Sequence, residues 1–211
     1  MPTTSKPRNK RLELGDRSRE EILDAAQNML SQHGYEGASV SRIAAASALS
    51  SSSIYWHFGS KVGILTAVME RGAERFFAEA APPVLTPRDA PRDILRRGLR
   101  ASQAAAEAHP EFLRILFLLT LSQVDDERVM QQVQDVTLRG RARLHELLER
   151  AFQGYGPEVA GGVADRLVDY ALSVFDGIFF STQASRGLDY SALIERMADS
   201  LAQIGTALAE G

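Results

Sequence analysis

The sequence of 211 residues contains no cysteine, so it offers neither a disulfide framework nor a thiolate metal site. It also lacks a long apolar run, because the longest, around residues 115–119, is far shorter than the ~20 residues that span a bilayer. The basic residues near the N-terminus are not followed by an apolar segment, so no secretory signal is indicated. These absences predict a cytoplasmic protein that does not associate with a membrane.

Patterns typical of catalysis or of cofactor binding are also absent. The chain has no glycine-rich phosphate loop and no His-Glu-x-x-His sequence. Its histidines are not spaced as metal ligands; they are His33, His57, His109 and His145. We therefore expect no enzyme activity, no metal and no cofactor.

No segment alternates as a β-strand does, whereas apolar residues recur at helical spacing along the chain. A proline-rich break at 82–91 separates an N-terminal group of short helices from a longer helical body, with Pro91 as a first helical residue. The sequence thus predicts an all-α fold of about nine helices. In the body the predicted helices cover 91–107, 110–122, 126–152, 158–184 and 190–209.

Charge is unevenly distributed over the chain. Residues 1–65 carry a net charge of +2 and the remainder −5, within a total of −3. Most of the positive excess lies before residue 20, and residues 1–17 are predicted to form a disordered basic arm. Two interpretations of this arm remain open, a solubilising tail and a segment that touches DNA.

The stretch "LSSSSIYWHFGSK" at 49–61 resembles a flexible spacer but has the pattern of a short helix. Ser50 is a suitable N-cap, which places the next three serines in the first turn, and Ile54 and Phe58 can pack inward together. Ser39 can cap a preceding short helix, and Ser18-x-x-Glu21 has the form of a capping box at the start of the first helix. Two short helices joined by a brief turn form a helix-turn-helix, whose second helix contacts base edges. The alternative is a helical hairpin whose serines face solvent.

Residues 34–65 resemble the DNA-binding domain of the tetracycline-repressor (TetR) family. The matching residues are Gly34-Tyr35, Ser39, Ile43-Ala44, Leu49-Ser50 and the run from Ile54 to Lys61. The resemblance implies a three-helix DNA-binding domain at 18–65 and a helical effector-binding and dimerisation domain at 66–211. Ala48 stands where the family usually has glycine, and this would be costly if the backbone there has a positive φ.

The resemblance also implies roles for individual residues. Near the start of the second helix, the family often places a residue that contacts a base or a phosphate. Tyrosine and histidine in the third helix, and lysine at the start of the fourth, touch the phosphate backbone. The residues expected to bind DNA are Ser41, Arg42, Ser51, Ser52, Ser53, Tyr55, Trp56, His57 and Lys61.

The predicted helix at 158–184 is apolar almost all the way round, so it must be covered on every side. A partner subunit is one source of that cover, and wrapping by the helix's own chain is the alternative. We expect a homodimer formed by the last two helices. Its predicted interface residues are Leu167, Tyr170, Val174, Ile178, Leu193, Met197, Leu201 and Ile204.

By the same resemblance the helical body binds a small effector that changes the spacing of two recognition helices. The candidate pocket residues are Leu95, Gln103, Phe112, Arg114, Leu116, Phe117, Val133, Thr137, Phe175 and Asp176. The expected function is that of a ligand-responsive repressor that leaves a palindromic double-stranded DNA operator when the effector binds. A helical ligand-binding or scaffold protein without specific DNA binding is the alternative. The identity of the effector, the operator, the regulated genes and the choice between repressor and activator stay open.

Overall fold

The computed structural model describes residues 7–81, 89–122, 124–185 and 187–211, with side chains from Leu14 onwards. Within these ranges the chain is all-α, as predicted, and it has no strand. A 3₁₀ turn, Gln153–Tyr155, follows the seventh helix. The helices are α1 (Pro7–Gly37), α2 (Val40–Ser47), α3 (Ser51–Phe58), α4 (Lys61–Glu79), α5 (Pro91–Ala108), α6 (Pro110–Ser122), α7 (Glu127–Phe152), α8 (Pro157–Ala184) and α9 (Tyr190–Glu210).

Helix α1 begins earlier than the sequence indicates. Ser18 lies inside the helix, and its hydroxyl donates to the carbonyl of Leu14 at 2.9 Å instead of capping an N-terminus. Residues 7–17 are therefore helical, in contrast to the predicted disordered arm, while residues 1–6 lie outside the described ranges. The backbone leaves the helical region at Gly34, with φ 66° and ψ −174°.

The chain divides into two compact units, one formed by residues 1–73 and 110–133 and the other by 74–109 and 134–211. In the first unit α1 packs against α2, α3 and α6. Gly72 of α4 lies against Phe112 of α6, and a Cβ added to Gly72 would come within 2.6 Å of the ring. The division therefore differs from the predicted boundary at residue 65, because α6 packs on the N-terminal helices.

The second unit is built around α5, α8 and α9, with both α5 and α8 packed on α9. Phe152 is fully buried and its ring lies directly over Gly205, where any larger side chain would collide with it. Helix α5 starts at Pro91, as predicted, because proline fits a first-turn position that needs no amide donor. Residues 82–88 of the proline-rich break lie outside the described ranges.

Over the part of the chain that the structure describes, none of the helices combines the length and apolar character that crossing a membrane requires.

Candidate nucleic-acid interface

Helix α2 and the turn after it are defined by local hydrogen bonds. The amide of Arg42 donates to the Ser39 hydroxyl at 3.3 Å, so Ser39 is the N-cap of α2 as predicted. The helix ends at Ala48, which has a left-handed backbone with φ 56° and ψ 25°, and the Leu49 amide donates to the Ala44 carbonyl at 3.2 Å. This turn does have the positive φ that favours glycine, so alanine is strained there.

Helix α3 begins at the serine run. The amide of Ser53 donates to the Ser50 hydroxyl at 3.1 Å, which confirms that the serines form the first turn of a helix and are not a spacer. Ile54 on α3 and Ile43 on α2 are each only 1% exposed. The two short helices therefore have a shared apolar side in the core of their unit, and α3 is held there with its opposite face outward.

That outward face carries small hydroxyls and large rings. Ser51 and Ser52 are exposed, and Tyr55 and Trp56 have exposed fractions of 53% and 78%. The Trp56 ring stands edge-on to the half-buried His57 ring, with centroids 4.5 Å apart and an interplanar angle of 78°. Helix α3 thus presents a solvent-facing surface that none of the described side chains of its own unit covers.

The start of α4 adds a cation next to this surface. Ser60 caps the helix, since the Gly63 amide donates to its hydroxyl at 3.1 Å. Lys61 is the first helical residue, and its Nζ atom lies 3.9 Å from the centroid of the Tyr35 ring. Burial, followed by the nearby charge of Asp126, raises the pKa of Tyr35, so this phenol stays neutral beneath the ammonium group. A lysine at a helix N-terminus is well placed for an anion such as a phosphate.

Two predicted contact residues on α2 are exposed but already have partners. The Nη1 atom of Arg42 donates to the Gly37 carbonyl at 2.8 Å, which leaves its other donors available. The hydroxyl of Ser41 lies 3.0 Å from that of Ser39. These bonds orient both side chains near the start of α2.

A cleft that the sequence did not reveal lies in the same unit. It has a volume of about 610 Å³ and is lined by residues of α1, α3, α4 and α7, with Arg19 and Arg128 among them. The Arg19 guanidinium carbon lies 5.4 Å from the centroid of the Phe58 ring. Arg19 is one of the basic residues before residue 20, and that excess of positive charge was the sequence feature that could have pointed to it. No sequence pattern singled out Arg128.

The helices of this surface are similar in sequence to those of known regulators. The family model described as bacterial regulatory proteins, tetR family, matches residues 22–68, which contain the whole of α2 and α3. The repressor AcnR of Corynebacterium glutamicum is 41% identical over 58 residues, or 28% of this chain and 31% of AcnR. AcnR of Corynebacterium diphtheriae is 28% identical over 165 residues, or 71% of this chain and 85% of that protein. Residues 22–68 are therefore similar to the DNA-binding part of tetR-family regulators.

The likeness to this tetR-family fold extends beyond the DNA-binding helices. A TetR-like transcriptional regulator from Rhodococcus sp. RHA1 superposes with a TM-score of 0.66 and 26% identity, covering 90% of this chain and 96% of that one. The chain spans only about a third of the length of the first curated relatives it matches, 31% in each alignment. The match to the family model is confined to residues 22–68.

The structure divides the residues predicted for a tetR-type dimer interface into two groups. Leu167, Met197 and Leu201 are at most 4% exposed, because α8 and α9 pack against each other within the chain. These three residues have no surface left for a partner. The residues that keep exposed or half-buried side chains are Tyr170, Val174, Ile178, Leu193 and Ile204. Phe180, which the sequence analysis did not include, is 61% exposed on α8.

The predicted effector residues are distributed over both units. Phe112, Arg114, Leu116, Phe117 and Val133 belong to the first unit, and Leu95, Gln103, Thr137, Phe175 and Asp176 belong to the second. Arg114 and Thr137 are exposed, whereas Leu95, Gln103, Phe112, Val133 and Phe175 are buried.

Within the second unit Gln103 and Asp176 belong to one polar cluster on α5, α8 and α9. The Gln103 side-chain amide donates to Glu107 at 2.8 Å and to the Ser191 hydroxyl at 3.0 Å. The adjacent Tyr190 hydroxyl is buried without a hydrogen-bond partner. Its burial, then the charges of Glu107 and Asp176, raise the pKa of Tyr190. Burial likewise raises the pKa of Asp176 to about 6.

Proposed function

We propose that this protein is a DNA-binding transcriptional regulator of the cytoplasm, and specifically a repressor. The observation that supports the proposal most strongly is the outward face of α3, where Ser51, Ser52, Tyr55 and Trp56 are exposed on a helix with its opposite side buried. In a helix-turn-helix that face enters the major groove. The relatives AcnR and NicS are both named as transcriptional repressors, which favours repression over activation.

The proposed contacts fall into two classes. Ser41, Arg42, Tyr55, His57 and Lys61 supply hydroxyl, imidazole and cationic groups for phosphates, and these contacts fix the position of the protein on the duplex. Ser51, Ser52, Ser53 and Trp56 lie on or near the outer side of α3 and face the bases. Specificity for an operator would come from the second class.

We further propose that the regulator acts as a homodimer on a palindromic operator. On α8 the side chains of Tyr170 and Phe180 are exposed and that of Ile178 is half-buried, and a second copy would cover these apolar residues. A two-fold dimer presents two copies of α3, so the half-sites would lie about one helical turn apart. A small effector would bind in the helical body, where the buried polar atoms of Gln103 and Tyr190 offer directional contacts.

Selection from a pool of random duplexes tests the proposed DNA binding. Wild-type protein should enrich an inverted repeat, and Ser53→Ala should enrich a different half-site with little loss of overall affinity. The matched control is Ser200→Ala on α9, which is also an exposed serine but lies outside the DNA-binding helices. A pool that shows no enriched sequence after repeated rounds would contradict the proposed function.

The oligomeric state tests the proposed dimer. Ile178→Glu introduces a charge on the uncovered side of α8 and should convert the dimer to monomers that lose operator binding. Leu138→Glu is the control, because Leu138 is 54% exposed on α7 and the same substitution there should leave the molar mass unchanged. Light scattering that shows wild-type monomers at micromolar concentration would exclude the dimer.

A further inference from the structure

The side of α3 that points away from its unit is dominated by a single ring. Ile54 is 1% exposed, and Trp56, two residues later and about 200° further round the helix, is 78% exposed. Ser52, one turn earlier on the same side, is also exposed and has only a small hydroxyl. If α3 lies in the major groove, the indole of Trp56 therefore reaches further towards the base edges than its neighbours.

Helix α3 contains no side chain that makes two hydrogen bonds to one base. Such recognition of guanine or adenine needs arginine, lysine, asparagine or glutamine, and Ser51–Phe58 includes none of them. A serine hydroxyl can donate or accept a single hydrogen bond, so it discriminates among the bases less strongly than a bidentate side chain does. An apolar side chain on α3 can add discrimination through the one apolar feature that bases present in the major groove, the 5-methyl group of thymine.

The Trp56 ring also has a contact within α3 in the absence of DNA. It packs edge-on against His57, whose ring centroid lies 5.9 Å from that of Phe58. Phe58 in turn lies beneath the guanidinium of Arg19. A ring supported in this way loses less conformational freedom on binding than a free side chain would.

We propose that Trp56 determines operator specificity by packing on thymine methyl groups in the major groove. This inference rests on the proposed DNA-binding function and names the chemistry that the same surface recognises. A different placement, with the indole against the deoxyribose of a flanking nucleotide, would strengthen binding without selecting a base.

The test uses the duplex that wild-type protein selects from the random pool, resynthesised with deoxyuridine replacing thymidine at one half-site position at a time. Each replacement removes one methyl group and leaves the hydrogen-bonding pattern unchanged. Binding by wild-type protein should weaken about fourfold at one or two positions, the value expected for one buried methyl group. Trp56→Ala should bind the thymidine and deoxyuridine duplexes equally.

Leu121→Ala is the matched control, since it removes an exposed apolar side chain from α6, outside the proposed DNA contacts, and should keep the fourfold difference. Should Trp56→Ala bind too weakly to titrate, Trp56→Phe supplies the comparison, and its smaller ring should reduce the difference below about twofold. A difference that persists in both Trp56 variants, or no difference in wild type at any position, would overturn the inference while leaving DNA binding intact. Failure to select any duplex would instead overturn the proposed function and this inference with it.

Discussion

The two units of this protein differ in what determines their helices. In the first unit, α2, α3 and α4 each begin at a serine whose hydroxyl accepts a backbone amide, namely Ser39, Ser50 and Ser60. In the second, α5 and α8 begin at prolines without a side-chain cap, and only α9 has one, from Asp189. The eight-residue helices α2 and α3 depend most on their caps because they have few internal hydrogen bonds, whereas long helices are stabilised mainly by the apolar face they bury.

This difference shows where single residues have the largest structural effect. In the first unit a few residues define each turn, so single substitutions there should change the free energy of unfolding, some raising it and others lowering it. In the second unit stability is spread over long apolar faces, and an exposed position should tolerate change.

The largest effect should come from the ionic network around Arg71, which is 8% exposed. Its Nη1 atom lies 2.9 Å from Glu20 and 2.8 Å from Asp24, and its Nη2 atom donates to Gln27 at 3.0 Å. Glu20→Gln with Asp24→Asn would leave a buried guanidinium without a counter-charge and should lower the free energy of unfolding by about 3 kcal/mol. Urea denaturation measures this loss.

The control for this network is Arg71→Met, which removes the buried charge itself. The carboxylates of Glu20 and Asp24 would then remain in solvent, so this variant should lose only about 1 kcal/mol. If the double variant and Arg71→Met lowered the free energy of unfolding by the same amount, the account would be contradicted, because burial of the Arg71 charge would then have no energetic role.

Glycine substitutions should have opposite signs in the two units. Gly72→Ala places a methyl group against the Phe112 ring and should cost about 1–3 kcal/mol. Gly162→Ala on α8 meets nothing within 4 Å and should stabilise by up to about 1 kcal/mol through helix propensity. Thermal unfolding of both variants checks the signs, and a stabilising Gly72→Ala would show that Phe112 can move aside at no cost.

Relief of strain at the turn should have a smaller effect. Ala48 has φ 56°, so Ala48→Gly should raise the free energy of unfolding by roughly 1 kcal/mol. Ala45→Gly, within the right-handed part of α2, should instead lower it by about 0.5–1 kcal/mol. If both variants were destabilised in chemical denaturation, the left-handed backbone at Ala48 would not be strained.

The smallest effect should be a pH dependence in the second unit, where two aspartates of α8 have opposite pKa shifts. Burial raises the pKa of Asp176 to about 6, so stability is lost as the pH rises from about 4 to about 6. Asp176→Asn should therefore raise Tm by a few degrees at pH 8, and the gain should disappear towards pH 4. The gain is limited because a partly buried amide still needs hydrogen-bond partners.

The comparison residue is Asp169, whose pKa is lowered by its hydrogen bond to Arg141. The contribution of the ionised Asp169 to folding stability is present above its unfolded pKa and is lost as the pH falls. Asp169→Asn should therefore lower Tm at pH 8 and have little effect on Tm in acid. Differential scanning calorimetry at several pH values separates the two. If Asp176→Asn and Asp169→Asn changed Tm in the same direction at pH 8, the two aspartates would not lie in opposite electrostatic environments, and the account would be contradicted.

The sequence predicted the helix-turn-helix well because its determinants are local. Ser39, Ser50 and Ser60 are recognisable caps, and Ala48 stands where a positive φ was suspected. The start of α1 was not predictable in the same way. A serine followed three residues later by glutamate suits a helix start, but Ser18 can equally bond the Leu14 carbonyl within a helix that continues.

Long-range packing was not predictable from helical spacing. The apolar stripes of α8 and α9 do not reveal whether a side chain is covered by its own chain, as Leu201 is, or left exposed, as Ile204 is. Nor does local spacing show that α6 packs on α1, and this places Phe112 in the first unit with Gly72. Distinguishing such cases requires the positions of elements that are distant in sequence.

The central claim is that the surface formed by α3 and the start of α4 binds DNA, and the salt dependence of Lys61→Ala tests it most directly. Affinity for the selected duplex should be measured by fluorescence anisotropy at several salt concentrations. Loss of Lys61 should weaken binding to specific and unrelated duplexes alike and reduce the log–log salt slope by about one unit per bound protomer. Arg143→Ala, an exposed cation on α7, should change neither quantity. An unchanged affinity and slope in Lys61→Ala would contradict the account.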